Sequence, residues 1–453
     1  MPKNLKIGID LRYPQFTFMR GIGRYTLQQL HITIANSPDH HYYLFCLKKT
    51  PSVVLEFAKY PNVTICPYFV AYYLNYVSRI DQLHRLIEYK VNFFIQKYQI
   101  DFLHIPALFH FTQPIPKYLN ACPVLITVYD LIPYMYMSHF DYSPLIQAEY
   151  ARGLEYIKTA NHLIAISEAT KRDIVRHLGY DAQRITVVYP ALDKHFQVLD
   201  ATVVSERLHH LWTRLGIPAP KQYILTVTDY FYTKNLDTLL LAYSQLSPQY
   251  RADYPLVVTF DISDKHLTLF SQKTQELGID TQVIFTRRVS DAELVALYNG
   301  ATIMVYPSRY EGFGYPIAEA MACGSPVITT TAASMPEVAG DAALLVDPED
   351  PQAFVDAITT LLTDATLRQT LRQKGLQQHR QFNLDHMAQA TLSTYHVFTP
   401  YSHPAPPSHF PLHYRLVLGM LGIYIKVHLQ WRRLLWHAYH KLYAPLKKRI
   451  LNR

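Results

Sequence analysis

Cysteine is scarce in this chain: four residues, Cys46, Cys66, Cys122 and Cys323, are scattered through 453. Their spacing matches neither a disulfide framework nor a metal-ligand set, so a reducing compartment is expected. Long apolar runs are lacking too. No uncharged stretch approaches the ~18 residues of a membrane-spanning helix. No secretory leader is recognisable, because the chain enters a strand pattern at once, Leu5-Lys6-Ile7-Gly8-Ile9-Asp10. Together these absences lead to an expectation of a cytoplasmic protein. Acid is missing from the tail: beyond residue 385 there are nine Lys or Arg and no Asp or Glu. That leaves 34 basic against 35 acidic residues in 1–385, so the net charge of +8 belongs to the tail alone. A basic surface over the whole protein is thereby excluded, and no nucleic-acid partner is expected.

What is present is a globular balance, 49% hydrophobic and 17% charged, long enough for two or three domains. Two stretches alternate strand and helix patterns. The first places strands at 5–10, 42–46, 124–128, 162–166 and 185–188, with helices at 150–160 and 168–178. The second places strands at 223–227, 256–260, 282–285, 302–305, 327–330 and 343–346. Ser290-Asp291-Ala292-Glu293 has the form of a capping box, with Gly300 closing that helix. Such alternation predicts an α/β protein with parallel sheets covered by helices. The division expected is 1–195 for a first domain, 196–385 for a second, 386–398 for a helix crossing back, and 399–453 for a tail. Two such domains enclose a cleft at their strand ends, where α/β folds bind ligands.

The most informative segment is 310–326, Tyr-Glu-Gly-Phe-Gly-Tyr-Pro-Ile-Ala-Glu-Ala-Met-Ala-Cys-Gly-Ser-Pro. Glu311 and Glu319 stand eight positions apart around a glycine-rich turn and a helix start. Pro316 suits the first helical position and Gly324 the left-handed residue after the last. A helix N-terminus seats phosphate, and a neighbouring carboxylate accepts hydrogen bonds from sugar hydroxyls. The arrangement fits a ligand that is part phosphate and part sugar. The bland alternative is two surface carboxylates favoured by the helix dipole.

After a proline-rich linker at 400–411, residues 412–443 read as one basic amphipathic helix. Arg415, Lys426, Arg433 and Lys441 share a face, and Trp431 and Trp436 lie in the same stretch. Two readings stand: an interfacial helix on an anionic membrane, or packing on this protein or a partner.

Residues 303–347 closely resemble the donor-binding half of family 4 glycosyltransferases, enzymes of two-domain GT-B architecture. The resemblance runs through Pro307-Ser308, Glu311-Gly312-Phe313-Gly314, Glu319-Ala320-Met321-Ala322, Pro326-Val327 and Pro336-Glu337. Arg20-Gly21-Ile22-Gly23-Arg24-Tyr25 looks like the family's N-terminal glycine loop, and Lys234-Asn235 like its basic helix start. The likeness covers about 1–398. It implies two Rossmann-like domains facing a cleft, and a retaining transfer of a hexosyl group, mannosyl by overall resemblance. The donor would be a nucleotide-diphosphate sugar and the acceptor a glycan or lipid-linked oligosaccharide.

By resemblance, Glu311 contacts the transferred sugar, Glu319 the ribose diol, and Lys234 the departing phosphate. Gly312, Phe313, Gly314 and Tyr315 form the donor turn. Gly21 and Gly23 let the N-terminal backbone approach the phosphates. Tyr129-Asp130 stands where the family often has a His-Asp pair near the sugar. Thr228-Asp229 replaces the usual glycine and basic or small polar residue, and Arg287 is a candidate for restoring positive charge there. No Asp-x-Asp triplet occurs, so neither a metal nor another cofactor is expected. These departures keep open a second reading, a non-catalytic relative that binds glycan or scaffolds a partner. A nucleotide-sugar epimerase on the same fold ranks third.

Overall fold

The computed structural model describes residues 4–11, 21–47, 52–68, 81–109, 120–259 and 263–403. The tail segment 412–443 lies outside them. Two parallel sheets organise the chain. The first contains β1 (Lys6–Asp10), β2 (His41–Leu47), β3 (Val63–Tyr68), β4 (Phe102–Ile105), β5 (Val124–Val128), β6 (His162–Ala165) and β7 (Ile185–Val187). Their spatial order is β3-β2-β1-β4-β5-β6-β7. The second contains β8 (Ile224–Val227), β9 (Leu256–Thr259), β10 (Val283–Arg287), β11 (Ile303–Val305), β12 (Val327–Thr330) and β13 (Ala343–Val346), in the order β10-β9-β8-β11-β12-β13. This is the two-domain α/β architecture that the alternation predicts.

The strands are continuous apolar runs because helices cover both faces. All five residues of β5, Val-Leu-Ile-Thr-Val, are buried, as are all of β11 and β12. In each sheet the strand order reverses direction once, between β1 and β4 and between β8 and β11. At such a point neighbouring loops diverge and leave a crevice. The loops after β8 and β11 carry Lys234 and Glu311 into it.

Two strands lie where the sequence pattern showed none. β3 contains Pro67, which removes a backbone donor, and it is tolerated because β3 is the sheet edge. β4 is Phe-Leu-His-Ile, in which fully buried His104 breaks the apolar run. Its ring bonds Thr127 Oγ1 at 2.9 Å and Tyr395 Oη at 2.8 Å. Burial pushes the His104 imidazole down to about 3, so it is held neutral.

Tyr395 ends the helix Leu384–Tyr395, which returns from the second domain and packs on the first. Gln29 Nε2 donates to Thr391 Oγ1 at 3.1 Å, and Phe398 stacks on Phe102 at 4.2 Å between centroids. The Ser290 capping box forms. Gly300 is the last residue of that helix, Asp291–Gly300, but it is not a left-handed cap, and Ala301 follows it in an extended conformation. A Cβ on Gly300 would stand 2.7 Å from both Leu208 Cδ1 and Tyr223 Oη, so the glycine serves close packing.

Candidate active site in the interdomain cleft

The helix Tyr315–Ala322 begins after Gly314, whose φ of +97° is a left-handed conformation that favours glycine. No side chain caps this terminus. Pro316 has no N–H and Ile317 N donates to Gly314 O at 3.0 Å, which leaves the Tyr315 N–H, of the first three helical residues, to face a ligand. Pro316 occupies the second helical position, one later than the sequence suggested, because Tyr315 opens the helix. Gly324 follows the helix at φ +76°. Fully buried Ser334 fixes the turn, its hydroxyl donating to the carbonyls of Glu311 at 2.9 Å and Phe313 at 2.8 Å.

This turn walls a cavity of about 310 Å³ between the two domains. Gly21, Tyr129 and Asp130 line it from the first domain; Lys234, Glu311 and the turn Gly312–Tyr315 line it from the second. The domains meet closely here. A Cβ on Gly312 would lie 2.3 Å from the Tyr129 carbonyl oxygen. Thr170 Oγ1 donates to that same carbonyl at 3.1 Å.

Lys234 Nζ sits 2.8 Å from Glu311 Oε1 and donates to Tyr306 Oη at 3.3 Å. Burial alone would lower the Lys234 pKa, but the Glu311 carboxylate and then Tyr306 outweigh it, and the ammonium is held charged. Asn235 positions this lysine. It adopts a left-handed φ of +58°, and its Nδ2 donates to Pro307 O at 2.9 Å and Pro348 O at 2.7 Å. Sequence reasoning missed Tyr306, which reads as an ordinary apolar residue ending a buried strand.

Glu319 lies just behind the cavity wall, 5% exposed. Both its oxygens are engaged: Tyr298 Oη donates to Oε2 at 3.0 Å, and Arg24 Nη1 lies 3.3 Å from Oε1. Burial raises its pKa, with Arg24 and then the Tyr298 hydroxyl opposing. Arg24 also pairs with Asp193 and was missed as a site residue, although it stands within the motif quoted from residues 20–25.

The remaining candidates divide. Asp130 lines the cavity and accepts from Ile132 N at 2.9 Å. Burial pushes its carboxyl up to about 6, against that hydrogen bond, and the nearby Glu311 carboxylate adds to the rise. Tyr129 lines the cavity, but its hydroxyl donates to Ile22 O at 3.4 Å and meets Thr26 Oγ1 at 2.9 Å, toward the helix Gly21–Ala35. Gly21 and Gly23 belong to that helix and not to a loop. Gly21 reaches the cavity, whereas Gly23 is buried behind it.

Arg287 stays apart. At φ +58° it ends β10, lies outside the cavity lining, and pairs with Asp264 at 3.0 Å on the surface. The arginine that ends β10 therefore does not line the cleft in this structure.

Residues 21–196 match the family described as Glycosyltransferase Family 4, and residues 213–378 match Glycosyl transferases group 1. The chain belongs to the group 1, family 4 glycosyltransferases. Among relatives of this family, it is 28% identical over 282 residues to the serotype-specific mannosyltransferase WbdA of Escherichia coli, covering 61% of this chain and 34% of WbdA. It is 31% identical over 244 residues to the O-antigen chain mannosyltransferase B of Escherichia coli, covering 53% of this chain and 62% of that protein. The chain thus spans about a third of WbdA and under two thirds of the second relative.

The fold is that of HepE from Anabaena, solved in complex with UDP and glucose: TM-score 0.63 and 16% identity, over 86% of this chain and 99% of HepE. It also resembles WaaG, a glycosyltransferase involved in lipopolysaccharide biosynthesis, with TM-score 0.59 and 15% identity over 86% and 98% of the two chains. At these identities the likeness establishes the GT-B fold.

Proposed function

We propose that this protein transfers a hexosyl group, mannosyl in the first instance, from a nucleotide-diphosphate sugar to a glycan or lipid-linked acceptor, with retention of configuration. The observation that carries the reading is the Lys234–Glu311 pair, 2.8 Å apart, beside an uncapped helix N-terminus in a cavity between two parallel-sheet domains. The helix N-terminus offers the Tyr315 N–H and partial positive charge to the diphosphate. Lys234 stabilises charge growing on the leaving phosphate, the kind of electrostatic term that dominates many enzymes. Glu311 orients the sugar, and Glu319 accepts from the ribose diol. In this reading the leaving phosphate takes the acceptor's proton, so neither a protein nucleophile nor a metal is called for. The mannosyltransferase relatives support the choice of sugar.

The test is direct. The protein is incubated with GDP-mannose, UDP-glucose and UDP-galactose, each with manno-oligosaccharide acceptors, and nucleoside diphosphate release and product anomers are followed by chromatography and NMR. Acceptor-dependent release with a retained anomer is expected, lost in Glu311→Gln. Binding of a nucleotide sugar without turnover would replace this reading with that of a glycan-binding scaffold. Among the described residues no helix is long and apolar enough to cross a membrane. Contact with an anionic membrane surface through 412–443, on a cytoplasmic face, is proposed from the tail's charge pattern. Equal liposome flotation of the full chain and a 1–400 truncation would sink it.

A further inference from the structure

Arg24 projects from the first turn of the helix Gly21–Ala35 toward the second domain. Its guanidinium faces two carboxylates, Asp193 at 2.5 Å and Glu319 at 3.3 Å. The two arms are unequal. The Asp193 contact is short and joins residues on the N-terminal side of the cleft; the Glu319 contact is long, single and interdomain. The guanidinium also lies 5.3 Å from the centroid of Tyr315 and 5.4 Å from that of Phe196. Tyr315 opens the helix whose N-terminus faces the cavity, and it lines that cavity together with Ile22 and Tyr25 on either side of Arg24 in sequence.

Three buried donor atoms at this place make no hydrogen bond among the described residues: Arg24 Nε, Arg24 Nη2, whose contact with Asp193 is an ion pair, and Tyr315 Oη. Buried donors are almost always paired, and three orphans near one cavity point to an acceptor-rich ligand. Glu319 shows the complementary feature, since Arg24 and Tyr298 occupy both the oxygens that a diol would need. Arg24 lies just behind the cavity lining, whereas Lys234 lines it and is paired with Glu311.

We propose that Arg24 is a nucleoside-diphosphate ligand that exchanges partners on binding. The ribose diol displaces it from Glu319, and the freed guanidinium, still tethered to Asp193, turns its donors to the diphosphate oxygens. Guanidinium and phosphate make strong, directional, charge-assisted bonds, which compensate for the lost contact with Glu319. This assignment rests on the nucleotide-sugar reading above and adds to it a residue from the opposite domain.

The exchange sets opposite signs for two probes. In Arg24→Ala the affinity for GDP and UDP should fall about tenfold or more, because the phosphate contact is lost. Affinity for guanosine and uridine should hold or rise, because Glu319 no longer has to be vacated. Calorimetric titration of the full chain with all four probes reads both signs, and thermal unfolding confirms that the variant is folded. Arg24→Gln, neutral but of similar reach, serves where alanine destabilises the helix. Unchanged diphosphate affinity in the variants, or an equal fall for nucleosides and diphosphates, overturns the proposal. Failure of the unsubstituted protein to bind any of the four would overturn the nucleotide-sugar reading itself, and the assignment with it.

Discussion

Glu337 in the second domain places its carboxylate on the backbone N–H of Ala169 in the first, at 2.8 Å from Oε1. Oε2 accepts from Glu168 N at 2.8 Å and from Tyr189 Oη at 2.9 Å. A carboxylate from one domain thus caps the helix Glu168–Leu178 of the other, where the helix dipole favours negative charge. The contact ties the two domains together beside the cleft. Glu337→Ala should weaken closure by about 1–3 kcal/mol, the usual range for a charge-assisted bond. The expected outcome is a larger radius of gyration in small-angle scattering with the secondary structure unchanged. An unchanged scattering curve would show that other contacts set the closure.

The Lys234–Glu311 pair is mostly buried, so removing one partner strands the other. Lys234→Ala should cost about 3 kcal/mol of stability in its domain, by the precedent of broken buried pairs. The double variant Lys234→Ala, Glu311→Gln should recover part of that loss, because no uncompensated charge remains. Denaturant midpoints of the three variants read the coupling. Simple additivity of the two single costs would show that the pair is not coupled in the folded state.

Much of this site was legible because its signals are local. The helix Glu168–Leu178 is bounded by Ser167, which caps it, and Gly179 at φ +65°, so its limits stand in the sequence. The turn at 311–314 carries its glycine and its helix start in consecutive residues. Contacts between distant segments leave no such trace. Arg24 and Glu319 are 295 positions apart, and neither periodicity nor capping relates them. Arg287 shows the opposite failure. An arginine after a strand suggests a phosphate ligand, but a left-handed backbone at that residue and a partner at Asp264 keep it on the surface. β3 was obscured by Pro67, whose effect depends on whether a strand is central or at an edge, and that is a property of the assembled sheet.

At Gly312 the backbones of the two domains pack closely. A Cβ there would stand 2.3 Å from the Tyr129 carbonyl oxygen, and backbone cannot yield as a flexible side chain can. Gly312→Ala should therefore push the donor turn and the Tyr129–Asp130 loop apart while each domain remains folded. A displacement of about 1 Å at reacting groups costs on the order of a hundredfold in rate. The variant should lose transfer activity on that scale with little change in far-ultraviolet dichroism. Full activity in Gly312→Ala would mean that the productive cleft is wider than the one described.

Asp130 offers a test by pH. Its carboxyl is pushed up to about 6, chiefly by burial, from an ordinary value near 4. Between these values the folded protein binds more protons than the unfolded chain, so this group lowers stability as pH rises. Its effect is absent below about pH 4 and complete above about pH 6. Two pKa units correspond to about 3 kcal/mol, an upper figure for a carboxyl that retains some contact with water. Asparagine mimics the protonated form and can still accept from Ile132 N. Asp130→Asn should match the unsubstituted protein in urea unfolding at pH 4 and exceed it in stability at pH 7.5. The difference should develop between those values and be enlarged in a Lys234→Ala background, where the cation that favours ionised Asp130 is gone. A constant difference across the range would show that Asp130 titrates alike in the folded and the unfolded chain.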